Sequence, residues 1–111
     1  MRLSNFFKTA SSWSKDHDAI NMDGNPVPLS AMPRDYFNNG VRLRALSLQG
    51  AVAYFFSYER EPESRIRIMD KLRKAISIHT GRNMYIAQFN SSIDTTFDDL
   101  KKVIAIAEKI K

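Results

Sequence analysis

Apolar residues recur along this chain in two different periods, and each change of period predicts where helix gives way to strand. Phe6, Ala10 and Trp13 share one side of a short amphipathic helix over about residues 5–15, with Ser4 placed to accept from its first backbone donors. Residues 19–29 read as two alternating runs around Asp23-Gly24, a dipeptide that supplies the positive φ angles of a tight hairpin turn. Pro26 and Pro28 lie two apart, so they remove donors along one edge and confine their strand to the rim of a sheet.

Pro33 suits the first turn of a brief helix through Phe37, which Asn38-Asn39-Gly40 would end. Val41-Arg42-Leu43-Arg44-Ala45 then alternates apolar with basic, Gln49-Gly50 signals a turn, and Ala51 to Tyr58 resumes with aromatic and small residues. The pattern predicts a second antiparallel hairpin. One long helix is the rival, but Gly40 and Gly50 would each cost it on the order of 1 kcal/mol relative to Ala. Val52, Tyr54, Phe56 and Tyr58 would fill one face of the second strand, and Ala51, Ala53, Phe55 and Ser57 the other. A strand apolar on both faces is central and covered by helices.

Pro62 opens a helix of about five turns that Gly81 ends, with His79 in its last turn. On a helical wheel Met69, Leu72, Ala75 and Ile76 gather on one side, flanked by Ile68 and His79. Asn83 to Phe89 reads as a strand joined in parallel by a right-handed crossover. In the last helix Thr96 and Asp99 form a capping-box pattern, followed by an apolar face of Leu100, Val103, Ile104, Ala107 and Ile110. The expected fold is a single α+β domain over residues 1–111. A small mixed sheet, made of a central antiparallel hairpin and a strand after the long helix, is covered by helices.

Composition narrows the function more than the fold. The chain has 111 residues and no Cys, which excludes disulfides, thiolate zinc sites and a cysteine nucleophile, and which suits a reducing compartment. Leu3, Phe6 and Phe7 are interrupted by Ser4, Asn5 and Lys8, so no secretory pattern forms, and the nearly uncharged stretch Ala45 to Tyr58 is too short to span a bilayer. A cytoplasmic protein without membrane association is the expectation.

The net charge of +5 falls entirely in the middle of the chain. Residues 34–60 carry four basic and two acidic groups and residues 61–82 carry six and three, while both ends are neutral. Such a field favours an acidic partner. Arg67, Lys71 and Lys74 stand at i, i+4 and i+7 on the long helix, where a row of cations can track phosphates. Together with Arg73, Arg42 and Arg44 they are the candidate nucleic-acid contacts, with Tyr54, Phe56 and Tyr58 as a stacking surface beside the arginine strand. The plainer explanation of the row is a solvated helix face, offset by Glu63 with Arg67 and Asp70 with Lys74.

Aromatic area supplies a second set of candidates. Phe6, Phe7 and Trp13 near the N-terminus, with Tyr54, Phe56 and Tyr58, are the candidate protein interface, because aromatic side chains are enriched in interface cores. Chemistry leaves fewer marks. Neither His17, between Asp16 and Asp18, nor His79 has neighbours spaced as metal ligands, and no nucleophile elbow, P-loop, dinucleotide fingerprint or His-Glu-x-x-His is present. Asn90-Ser91-Ser92 ahead of the last helix is the one stretch that could cradle a phosphate. No catalytic residue, metal or cofactor is assigned. The expected function is a small non-catalytic binding or regulatory module acting through protein–protein interaction or self-association as a homo-oligomer. The alternative is a nucleic-acid-binding protein using residues 34–82.

Overall fold

The structure, a computed structural model, describes residues 3–27, 43–56 and 62–110. The chain is α+β, as its periods imply. Helix α1 (Leu3–Phe6) and a 3-10 turn (Ala10–Ser12) lead into strands β1 (Ala19–Asn21), β2 (Pro26–Val27) and β3 (Leu43–Leu46). Helices α2 (Leu48–Phe56), α3 (Pro62–Thr80), α4 (Ile86–Ser91) and α5 (Phe97–Lys109) follow. Pro33 to Gly40 and Pro28 lie outside the described residues.

The first hairpin forms where its turn residues place it. Ala19 pairs with Val27 and Ile20 with Pro26, antiparallel, and Gly24 sits at φ +86°. Asn21 Oδ1 accepts from the N–H groups of Asp23 (3.0 Å) and Asn25 (2.9 Å), holding the turn from inside. The sheet order is β2-β1-β3, so the proline-bearing strand is at the rim. Among the described residues its strands pair antiparallel, and a parallel bridge joins Trp13 to Leu46.

Three expected elements differ, each because a partner distant in sequence supplies what the local pattern could not show. The N-terminal helix stops at Phe6 rather than running to residue 15. Beyond it Thr9 and Ser12 turn their polar groups onto one another, Ser12 Oγ donating to the Thr9 carbonyl at 2.6 Å, and Trp13 leaves the helical path to bridge Leu46. Of the hairpin expected over 41–58, the described residues 43–56 form a strand followed by a helix. Ser47 caps α2, its Oγ accepting from Gly50 N at 2.9 Å, while the side chain of Asn90 accepts from Leu48 N at 2.9 Å. A short run apolar on every side fits a buried helix as well as a buried strand, and these caps decide between them. The strand expected over 83–89 is instead extended chain entering α4, whose start is held by Tyr85 N donating to Gln88 Oε1 at 2.9 Å.

The two long helices follow their pattern closely. Gly81, at φ +73°, ends α3 by donating to the Ser77 carbonyl at 2.8 Å. In α5 Asp99 N donates to Thr96 Oγ1 at 3.2 Å and Thr96 N donates to Asp99 Oδ2 at 2.9 Å, a reciprocal capping box. Among the described elements α3 and α5 share the most extensive interface. Leu72, Ala75 and Ile76 pack there against Leu100, Val103, Ile104 and Ala107, all buried. Phe7, Leu46, Leu48, Val52 and Phe89 join the same core, and each large apolar side chain so buried contributes roughly 1.5–3 kcal/mol.

Gly50 is therefore a packing glycine. A Cβ built there collides with the backbone carbonyl of Asp18, which crosses α2 just ahead of β1. Gly50→Ala should lower the free energy of unfolding by about 1–3 kcal/mol in a urea titration. A midpoint equal to that of the unsubstituted chain would contradict the close crossing.

Candidate interaction site

An apolar hollow on the described surface lies where α2, α3 and the start of α4 meet, a groove of about 370 Å³. Helix α2 contributes Gln49, Val52 and Ala53, at the i, i+3, i+4 spacing that keeps side chains on one face. Helix α3 contributes Arg65, Met69 and Arg73, one residue per turn along a stripe, and Tyr85 and Ile86 close the groove from α4. Val52, Ala53 and Ile86 are buried, while Met69 is 37% and Tyr85 64% exposed. The groove thus has an apolar floor and an accessible rim.

Its polar groups are few and placed. The Arg73 guanidinium lies 5.2 Å from the centroid of the Tyr85 ring, a stacked arrangement that keeps the charge oriented. Gln49 Nε2 donates to Asp18 Oδ1 at 3.0 Å, and Gln49 Oε1 is buried with no hydrogen-bond partner among the described residues. Ile66, 60% exposed, continues the apolar stripe of α3 beyond Met69.

A second cavity, of about 300 Å³, lies between the C-terminus of α3 and the N-terminus of α5. His79 Nε2 meets Asp99 Oδ1 at 2.9 Å there, and Arg82, Asp94 and Thr80 are on its walls. The hydrogen bond from His79, then that from the Thr96 backbone, hold the Asp99 carboxyl at about 2, down from 3.8. The pair also puts an anion at the positive end of α5 and a base at the negative end of α3. Thr80 Oγ1 is committed to the Ile76 carbonyl at 2.7 Å, and among the described residues no hydroxyl bonds the second nitrogen of His79. The pair clamps the C-terminal end of α3 to the N-terminal end of α5.

The other candidates fall in several places. Phe7 is fully in the core at 2% exposure, and Phe6, Trp13, Tyr54 and Phe56 are half-buried against it; Tyr58 lies outside the described residues. The Phe6 ring meets Phe7 and Phe55 edge-on, at 5.0 and 5.4 Å. Tyr54 and Phe56 stand on a helix, so the sheet platform of arginines beside stacking aromatics does not form. Arg44 is exposed on β3, Arg42 lies outside the described residues, and Arg67, Arg73 and Lys74 are exposed on α3 with Lys71 half-buried. Of these, Arg73 and Lys74 are brought together, sharing a shallow hollow with Asp70 and Asn83. Asn90 and Ser91 are helical and the Asn90 side chain is buried and fully bonded, so that stretch is no phosphate cradle. His17 is exposed beside Asp16 and Asp18, and among the described residues no three metal-ligating side chains gather.

Sequence reasoning missed Arg65, Tyr85 and Gln49. Met69 had been placed with the core side of its helix, and the signal that it sits at the margin was its position next to Arg65 and Ile66 on the wheel. Tyr85 was assigned to a strand, which concealed its exposure. No described helix is long and apolar enough to cross a membrane. The chain matches no protein-family model, no curated protein and no solved structure.

The Asp99 clamp makes a pH-dependent prediction. Its folded pKa is depressed, so its contribution is complete above 3.8 and is withdrawn as pH falls towards 2. Asp99→Ala should cost on the order of 1 kcal/mol at neutral pH. The gap between variant and parent, followed by urea unfolding, should shrink across that window; a gap as large at pH 2 as at pH 7 would contradict it.

Proposed function

We propose that this chain is a cytoplasmic, non-catalytic binding module that works by protein–protein interaction through the α2–α3–α4 groove. The observation that carries the reading is the groove itself, in which accessible Met69 and Tyr85 stand over an apolar floor between Arg65 and Arg73. A hollow of this size takes one or two anchoring side chains, and anchors buried in such pockets dominate binding energy. The absence of Cys agrees with a reducing compartment.

A second reading, nucleic-acid binding, draws on Arg67, Lys71, Arg73 and Lys74 on α3. It explains the cations but gives no task to the apolar floor. Two measurements separate the readings. A photo-crosslinking side chain at position 66 should trap a discrete protein from an extract of the source cells, and one at position 109 should not. The same band should vanish when Met69→Glu is added. Labelled single- and double-stranded DNA and RNA should bind weakly. Micromolar nucleic-acid affinity falling steeply with salt, together with no groove-dependent protein adduct, would overturn the reading in favour of the second.

A further inference from the structure

We infer that the groove takes an extended acidic segment of a partner protein, in which one apolar side chain is flanked two residues away on each side by a carboxylate. This rests on the groove being a protein-binding site and names what fits it.

The spacing is set by α3. Arg65 and Arg73 are eight residues apart on one stripe, which separates them by about 12 Å along the helix, and Met69 stands midway. An extended chain rises about 3.3 Å per residue and turns alternate side chains to one face. Carboxylates at i and i+4 therefore span the two guanidinium groups, and the residue at i+2 falls over Met69, Val52 and Ile86. A planar guanidinium grips a carboxylate through two parallel bonds, and Arg73 is already oriented by Tyr85.

Charge selects against a second copy of the chain. This helix carries Arg65, Arg67, Lys71, Arg73 and Lys74 against Glu63 and Asp70, a net positive face that two copies would have to bring together. Nor does any stretch of the chain read acid, apolar, acid at i, i+2 and i+4.

The test uses the full chain and a fluorescein-labelled peptide, Gly-Ser-Glu-Ser-Leu-Ser-Glu-Ser-Gly, followed by anisotropy. It should saturate below about 1 mM. Replacing the peptide Leu by Ser, or both Glu by Gln, should weaken binding about tenfold or more. Arg65→Ala and Arg73→Ala should each do the same, and Arg73→Lys should not restore full affinity. Circular dichroism melts confirm that each variant is folded. Affinity unchanged by these substitutions would overturn the inference, as would tighter binding of a helical peptide with its glutamates eight residues apart. Displacement of the peptide by oligo-dT at equal charge would also overturn it. A groove-dependent cross-link from position 66 that the peptide fails to displace would reject the acidic segment while leaving the protein-binding reading intact.

Discussion

One buried carboxamide holds the parts of this fold in register. Asn90 Oδ1 accepts from Trp13 Nε1 at 2.7 Å and from Leu48 N at 2.9 Å, while its Nδ2 donates to the carbonyls of Ser14 and Lys15 at 3.2 and 3.3 Å. The side chain is fully buried and every one of its bonds reaches a different part of the chain from its own helix. A buried polar group costs little only when its bonds are complete, and losing one partner leaves the rest exposed to that cost. The N-terminal segment, the start of α2 and the short α4 are therefore interdependent. Helix α4 has six residues, too few to be stable on its own, and it is held in place by Asn90, Phe89 and Ile86.

The same junction sets up the groove. Asn90 fixes the first turn of α2 against α4, and Asp18 fixes it against the sheet, its carbonyl accepting from Ser47 N at 3.0 Å and its carboxylate from Gln49. Val52, Ala53 and Ile86 are thereby brought side by side as a floor. Helix α3, anchored through Leu72 and Ile76, then lays its arginine stripe along one wall. Lys15 ties the N-terminal segment to the loop ahead of α5, its Nζ donating to the Thr95 carbonyl at 2.6 Å. The groove itself keeps two guanidinium groups, of Arg65 and Arg73, among its lining residues.

What could be read from sequence divides along the same line. The first hairpin, α3 and α5 carry their own instructions: Asp23-Gly24, Pro62 with Gly81, and Thr96 with Asp99 are all local, and each formed where expected. The segments around Gly50 and Tyr85 take theirs from elsewhere. Leu48 is capped by a residue 42 positions away, and Gly50 answers to the Asp18 carbonyl rather than to a turn. Ser47, three residues before Gly50, was the available local sign of a helix start. The groove was not legible for the same reason, since Arg65, Tyr85 and Gln49 become neighbours only once α2 is helical.

The most direct test of this account is native-state hydrogen exchange at the Trp13 indole N–H and the Leu48 amide, the two donors to Asn90. If the carboxamide ties these segments together, both protons should exchange only through global unfolding, with one shared free energy that matches the denaturant value. Exchange of either proton at the rate of an exposed loop amide, while the α3–α5 core stays protected, would show that the junction opens on its own and does not hold the fold.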